Sequence, residues 1–596
     1  MIEYSVAEKP YHIAIVDHIL DNVHGQIGLT PVENAIERLP IFKRLHNISQ
    51  LGLVNRIFPC AVHTRYSHSL GVMHVASLMT ESINGKFRVP FFCDDDIQVI
   101  RLAGLLHDIG HYPMSHNIEA AYKARLRPKE PVYEHLDTYV NCPSFLYPPQ
   151  KKAKTEKKPS KRKSSLSNYS GAQGMHHEYI GYEIITNNKT LFEAVRNNYV
   201  LIYDGEDNDK KLNPFYNYKG EKNATYTIDE IDGIVKKIMT AIGNIVIGNY
   251  SYKDASETED HVFFDKYSAM VQLIHSEMDA DNIDYLLRDA TFSGTTYGTM
   301  DMSLLISALT VSKLTYEYEN DGVSYSGNKY LVGILKKRAG CVEQFLLSKY
   351  MAYGQVVFSK YVSILEAMLF RVACKLMTED RKYGREKLKA LVKNANTQRD
   401  YLDFNDSYIL NRIRTFQDDI GQYRFPSPDQ EMFIQINDNL AFDMMEEVSS
   451  VSLKRDVLID NIKKTDLYKS FCRVCGKLGD QIEQSAQASS LLTELMSYRF
   501  ESYSLTKQLP YDVFLKTYEN DQSTPLLSFQ SHYFRLANGI PVLETNGHYF
   551  HNGASKGTHK LPQLVVDLES SLLHEMYPLS FVFLRRYKVE NNETSL

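Results

Sequence analysis

The sequence predicts a mainly α fold with small β elements and a mixed α/β region toward its C-terminus. Three observations carry that expectation. Apolar residues recur at helical spacing through most of the first 380 or so residues. Alternating, turn-bounded segments are confined to residues 313–332 and to the stretch after about 500. The balance of 43% hydrophobic and 23% charged residues is ordinary for a globular chain.

Taken in order, Pro31 followed by VENAIERL has the chemistry of a helix start, with Thr30 in the N-cap place. Asp94, Asp95 and Asp96 precede the apolar IQVIRLAGLLH, so carboxylates stand where a helix N-terminus favours them. Residues 278–294, MDADNIDYLLRDATFSG, place Ile283, Leu286 and Leu287 at helical spacing. Tyr, Val and Thr mixed with Asn-Asp-Gly and Ser-Gly-Asn turns predict short strands over 313–332. Periodicity over 333–378 predicts one long helix, a structural spine or an oligomer contact. From about 380 polar helices are expected; after about 500 come strand-like segments at 502–509 and 579–587. We therefore expect one unit over 1–378, spine included, and a second over 379–596 with a regulatory or oligomerising role.

Charge and cysteine usage narrow the function classes. The 596 residues hold 67 Lys plus Arg and 73 Asp plus Glu, a formal charge of −6. That excludes a generally basic nucleic-acid coat and a polyacidic disordered chain. Seven scattered Cys, an odd number, form no disulfide framework and fit a reducing compartment. Cys472 and Cys475 make a lone CxxC with no second ligand pair nearby, which reads as ordinary thiols rather than zinc ligands. No basic-then-apolar leader opens the chain, and no stretch approaches the ~20 apolar residues that span a bilayer. A soluble, cytoplasmic protein with no membrane partner is expected. Composition breaks at 147–174, where residues 151–170 carry eight Lys/Arg and one Glu. This flexible basic insertion reads first as a solvated linker and second as a nucleic-acid contact.

Two segments concentrate imidazole and carboxylate: HTRYSHSLGVMH at 63–74 and HDIGHYPMSHNIE at 107–119. Twenty His occur in the chain, so His107, His111 and His116 within ten positions are an excess. His107 and Asp108 close the apolar LAGLL, and Gly110 and Pro113 then turn the chain. Imidazole nitrogen and carboxylate oxygen side by side suit a divalent first-row metal. His116 and Glu119 share a face if the helix resumes after Pro113, which makes an acid/base dyad. His176, His177 and Glu178 follow the basic insertion. In 278–294, Asp281, Tyr285 and Arg288 or Asp289 fall on one helical face, and a purely solvated helix would not account for Tyr285 there.

The ordered set His68, His107-Asp108 and a distant Asp281 resembles the metal signature of the HD-domain phosphohydrolases. More narrowly, it resembles their deoxynucleoside triphosphate triphosphohydrolase branch, which includes the bacterial dGTPases and the vertebrate dNTPase joining SAM and HD domains. The resemblance begins near Asp21-Asn22-Val23-His24-Gly25 and runs through PIFKRLHNISQLGLVNRIFP, HTRYSHSLGV, HDIGHYPMSH, HHE and DADNIDYLLRD to about residue 378. It implies an HD-domain helical core that splits a dNTP into deoxynucleoside and inorganic tripolyphosphate. By the same resemblance His68, His107, Asp108 and Asp281 would hold a divalent metal (Mn, Fe, Mg or Zn). Arg65 and His111 would contact the triphosphate. His116 with Glu119 would be the catalytic dyad, and His177 would support phosphate binding or proton relay. Gln50 and Leu51 would pack against the sugar, while Tyr285 and Asp289 would recognise the deoxyribose.

Lys349 stands where the family usually has Arg, which keeps a point charge for a phosphate but loses bidentate geometry. Arg38 and His46 occupy the positions of an Asp and an Arg that bind a guanine activator in the vertebrate relative, so that mode is not implied. The resemblance also implies a homo-oligomer of undetermined number, while another nucleotide effector and a role in nucleotide balance or antiviral defence remain open. Two other readings stay open: another HD phosphohydrolase (a nucleotidase, phosphodiesterase or nuclease), and a non-enzymatic nucleotide sensor.

Overall fold

The computed structural model describes residues 3–116, 118–119, 176–203, 209–221, 223–249, 266–276, 278–320, 323–335, 338, 340–357, 359, 362, 365–366, 369, 403–411, 527–531, 542–543, 549–550 and 580–584. The basic insertion at 151–170, Cys472, Cys475, the 502–509 segment and most of the helices expected from 380 onward lie outside those residues.

The chain opens with β1 (Glu3–Ser5) and an antiparallel hairpin of β2 (Asp17–Asp21) and β3 (Gly25–Leu29). Thr30 caps α1 (Pro31–Glu37): its backbone is extended, and its N–H donates to the Glu33 carboxylate at 2.9 Å. Glu33 is fully buried, where Arg101 meets both its oxygens at 2.7 and 2.8 Å. That pair ties α1 to the helix carrying Arg101. After α2 (Pro40–Lys43) come α3 (Arg65–Asn84) and α4 (Asp94–Leu106), which pack side by side. Asp94, Asp95 and Asp96 form the first turn of α4, as the sequence predicts, and His107 is its C-cap.

Beyond the insertion, α5 (His176–Asn187) and α6 (Lys189–Val195) are followed by short β4 (Leu201–Tyr203), β5 (Lys210–Leu212) and β6 (Thr225–Thr227). The long α7 (Ile228–Val246) packs on α5 and α4. Next are α8 (Tyr267–Ile274), α9 (Ala280–Ser293) and α10 (Met302–Ala308). β7 (Leu309–Asn320) and β8 (Val323–Leu335) then make a long antiparallel hairpin, with Leu309 opposite Ile334.

α11 (Gly340–Ala352) runs into a π-helical turn, Tyr353–Val357. The long helix expected over 333–378 is corrected at its start: Gly333–Leu335 belongs to β8, and the helix begins at Gly340. In the C-terminal region β9 (Leu527–Ser531) pairs with β12 (Ser580–Leu584), matching the strand expected at 579–587. Between them, β10 (Val542–Leu543) adds in parallel to β8 and pairs with β11 (Tyr549–Phe550).

The fold is thus mainly α with small sheets, as expected. One continuous apolar core runs from Tyr11 through α3, α4, α5, α7, α8 and α9 to Phe345 of α11. Phe404 and Ile409, from the segment expected in the C-terminal unit, are buried in the same core. Among the described residues no helix is long and apolar enough to cross a membrane.

Candidate active site

Three helix ends converge. α3 contributes Arg65 and His68 from its first turns, α4 ends at His107 and Asp108, and α9 begins with Asp281. Asp279 caps α9 by accepting the Asn282 N–H at 2.7 Å, so Asp281 sits in a first turn, where the helix dipole favours a carboxylate. The ligating atoms of His68, His107 and Asp281 all lie within 4.8 Å of one another, close enough to share a metal ion. Asp281 Oδ1 is 2.8 Å from His68 Nε2 and 3.7 Å from His107 Nε2. Asp108 Oδ2 stands 3.5 Å from His107 Nε2 and 3.8 Å from His68 Nε2, and takes Arg65 Nη1 at 2.7 Å. Burial alone would raise the Asp108 carboxyl. Arg65 first, with the surrounding imidazoles, outweighs that and holds it well below the usual range.

The protons around this cluster suit a cation. His107 Nδ1 lies 2.8 Å from the Gly104 carbonyl, which can only accept, so Nδ1 carries the proton. Its Nε2 is buried without a hydrogen-bond partner and lies 3.5 Å from Asp108 Oδ2 and 3.7 Å from Asp281 Oδ1. His68 Nδ1 lies 2.7 Å from Asp284 Oδ2. Burial works against the Asp284 charge, yet Arg288, His24 and His68 hold that carboxyl well below its ordinary value. It therefore accepts from His68 Nδ1, leaving His68 Nε2 opposite an anionic oxygen at 2.8 Å. Only a cation reconciles the two. With a proton there, burial is overcome by Asp281 and Asp284, and the His68 pKa is pushed up to about 10. A divalent metal is the other cation this donor set fits, with Asp284 as the carboxylate that orients a ligating imidazole.

Asp284 is itself held from behind. Arg288, fully buried, meets it at 2.8 and 3.0 Å and Asp21 at 2.7 and 3.2 Å, while His24 Nε2 approaches Asp284 at 2.6 Å. A Cβ at Gly71 would stand 1.9 Å from Asp284 Oδ1 and 2.5 Å from Arg288 Nη2. Only glycine leaves room for this ion pair against α3.

Beside it lies a second cluster. The His111 ring is 4.2 Å from that of His177 and 5.0 Å from that of His116. Glu119, buried, lies 3.1 Å from His177 Nδ1 and 3.3 Å from His116 Nδ1, and accepts the His177 backbone N–H at 3.2 Å. The expected His116–Glu119 pairing is present, but the carboxylate is shared with His177. Burial, then Arg65 and His177, hold the His111 pKa well below its ordinary value. His177 is raised, because Glu119 outweighs the effect of burial. His116 is the solvent-facing member, with its side chain 53% exposed against 6% for His177. These three imidazoles also lie close enough to share a metal ion. A Cβ at Gly110 would meet the His177 carbonyl at 2.2 Å, so a bare backbone at 110 lets α5 bring His177 in.

The remaining expected residues fall around these clusters. The Arg65 guanidinium is committed to Asp108, to Ser115 Oγ at 3.1 and 3.2 Å and to the Gln50 carbonyl at 3.2 Å. Gln50 is buried, and Leu51 packs on the small apolar cluster of Val54, Ala61, Val356 and Val362. Asp289 takes His63 Nε2 at 2.7 Å, and the His63 ring lies 4.9 Å from Phe292. The Tyr285 hydroxyl donates to Asn282 at 2.8 Å and accepts from Tyr353 at 3.1 Å. Lys349 is buried in the last turn of α11, which packs on α9. Sequence reasoning missed His63 and Asp284 as members of the site. Asp284 had one signal: a carboxylate between Ile283 and Leu286, on a face whose apolar neighbours are buried.

Comparison with known proteins finds an HD domain over residues 65–141. The chain is 36% identical over 118 residues to the deoxynucleoside triphosphate triphosphohydrolase SAMHD1 of Homo sapiens, a match covering 20% of this chain and 19% of that protein. An uncharacterised protein of Methanocaldococcus jannaschii is 24% identical over 361 residues, covering 61% of this chain and 50% of the relative. The chain thus spans at most about half the length of these curated relatives. A crystal structure of a hypothetical protein from Aquifex aeolicus is similar at a TM-score of 0.49 and 19% identity, with 96% of each chain covered. The chain carries an HD domain, and its similarity to the SAMHD1 enzymes lies over that region.

Proposed function

We propose that this chain is a metal-dependent HD phosphohydrolase that splits deoxynucleoside triphosphates into deoxynucleoside and inorganic tripolyphosphate. One observation supports the reading: His68, His107 and Asp281, close enough to share a cation and with Asp108 beside them, stand next to an imidazole–carboxylate cluster with one solvent-facing member. His68, His107, Asp108 and Asp281 would hold the metal; Mn, Fe, Mg and Zn all suit this donor set, and the ion would polarise a phosphoryl oxygen when bound.

The chain's own side chains supply the rest. Glu119 accepts from Nδ1 of His116, so a proton on His116 Nε2 points away from the carboxylate and toward solvent, where a leaving 5′-oxygen could take it. The Arg65 guanidinium, His111 and His177 line the same cluster and favour charge building on the phosphoryl oxygens. Asp289 would accept from the sugar 3′-hydroxyl, and Tyr285, backed by Tyr353, would close the wall beside C2′. Gln50 and Leu51 complete the sugar side, and Lys349 would meet a phosphate. A nucleotide effector and homo-oligomer formation belong to the same proposal, as consequences of the resemblance to the dNTPases.

The test is a product assay. The full chain loaded with Mn²⁺ is incubated with each dNTP and with dNTP mixtures, and anions are separated by ion chromatography. Tripolyphosphate with free deoxynucleoside is expected. Orthophosphate alone, or no turnover by protein shown to bind the metal, overturns the proposal.

A further inference from the structure

The turn that delivers His116 is held by a residue nearly 300 positions away. Met114 and Ser115 both have φ of 54°, the left-handed region that side chains with a Cβ avoid. Both are buried, so solvent does not hold them there. Asp406 does: its Oδ1 accepts the Met114 N–H at 2.6 Å and its Oδ2 accepts the Ser49 N–H at 2.8 Å. One carboxylate thereby ties the turn before His116 to the segment before Gln50. Ser115 Oγ closes the same loop by donating to the Ser49 carbonyl at 2.7 Å while accepting from Arg65.

The segment bearing Asp406 is anchored independently. Arg44, fully buried, donates to the Phe404 carbonyl at 2.9 Å and to the carbonyls of Ile109 and His111 at 2.9 and 3.0 Å. Phe404 is buried, with its ring 6.2 Å from that of Tyr112. Every residue from Ile109 to Ser115 that these contacts touch lies between the His107-Asp108 pair and His116. Yet Phe404 and Asp406 lie outside the HD match at 65–141.

We propose that Asp406 is a positioning residue for the reaction: it holds Met114 and Ser115 in the left-handed conformation that aims His116. The inference rests on the proposed function for its catalytic readout, and on the geometry alone for its structural one. Two bonds to backbone N–H groups require a carboxylate, because an Asn amide would turn its NH₂ toward one of the two donors.

The first measurement is residue-resolved amide hydrogen exchange on the full chain. Ser49 and Met114 amides should be as protected in the wild type as those of α3. Exchange at the rate of exposed loops overturns the proposal without any variant. Asp406→Asn should accelerate exchange at residues 49 and 114–116 while leaving α3 unchanged.

The second is kinetic. Asp406→Asn and Asp406→Ala should lower kcat on the substrate about tenfold or more, with KM changed less than about threefold. In a His116→Ala background Asp406→Ala should cost nothing further, because the group it aims is already gone. Additive losses, or a loss carried by KM, assign Asp406 to the fold alone and overturn the proposal. If wild-type protein cleaves no dNTP, the functional proposal fails while the exchange experiment still decides the role of Asp406.

Discussion

At the scale of single residues, the buried Asp21–Arg288–Asp284–His68 chain decides how well the cation site is built. Its weak point is steric. The Asp284 carboxylate and the Arg288 guanidinium occupy the space a side chain at position 71 would need. Gly71→Ala should force the pair apart, costing on the order of 1–3 kcal/mol of stability and about 10–100-fold in metal affinity through the displaced His68 partner. Gly85→Ala is the control, since the nearest atom to its Cβ is 3.5 Å away and its φ of −61° suits any residue. Urea melts and calorimetric Mn²⁺ titration of both variants decide it; equal behaviour refutes the steric account. His107 and Asp108 stand out in the sequence because imidazole and carboxylate cluster over 107–119, whereas His68 and Asp281 enter as candidate ligands through the resemblance to the HD phosphohydrolases. The sequence did not display Asp406 against Met114 or Asp21 against Arg288. Those partners lie 292 and 267 residues apart, and an isolated Asp carries no sign of what it will face.

Among the elements, α4 joins an end at the candidate site to a pH-sensitive one. Its last residues lead to His107, and its first turn buries Asp95 against the hydroxyls of Tyr199 and Tyr216. Burial drives this carboxyl up to about 7, although both hydroxyls favour its charge. The native state therefore keeps a proton that the unfolded chain has already released above about pH 4. This contribution to stability is fully present below the unfolded pKa, declines as pH rises toward 7 and is level beyond. A shift of that size corresponds to a few kcal/mol, on the order of 4, between the two ends. Asp95→Asn should remove the slope, so that variant and wild type differ far more at pH 8 than at pH 5 in chemical melts. Parallel curves would show that Asp95 does not titrate in this window. The elements also show why patterns misplace boundaries. Leu331 to Leu335 is a short apolar run that fits a helix and a strand equally, and only its pairing with Leu309–Val311 makes it β8. The start of α4 was legible because its signal, three carboxylates before an apolar run, is local.

For the whole molecule, charge is distributed in a way the total of −6 conceals. Residues 151–170 carry a net +7, so the rest of the chain carries −13. An acidic body repels a triphosphate, and on the proposed function the cationic segment that lies between His116 and His177 in the sequence would offset that repulsion. The effect must act over distance, so it must respond to salt: the Debye length is about 30 Å at 0.01 M and about 8 Å at 0.15 M ionic strength. We predict that KM for a dNTP rises with ionic strength in the intact chain. In a chain lacking residues 151–170 the dependence should vanish or reverse, because screening then relieves only the repulsion of the acidic body. kcat at saturating substrate should be the same in both proteins, since the segment holds no residue of the proposed chemistry. An intact chain and a deletion variant with the same salt dependence would exclude electrostatic recruitment by this segment. A fall in kcat on deletion would assign it a part in the active site instead.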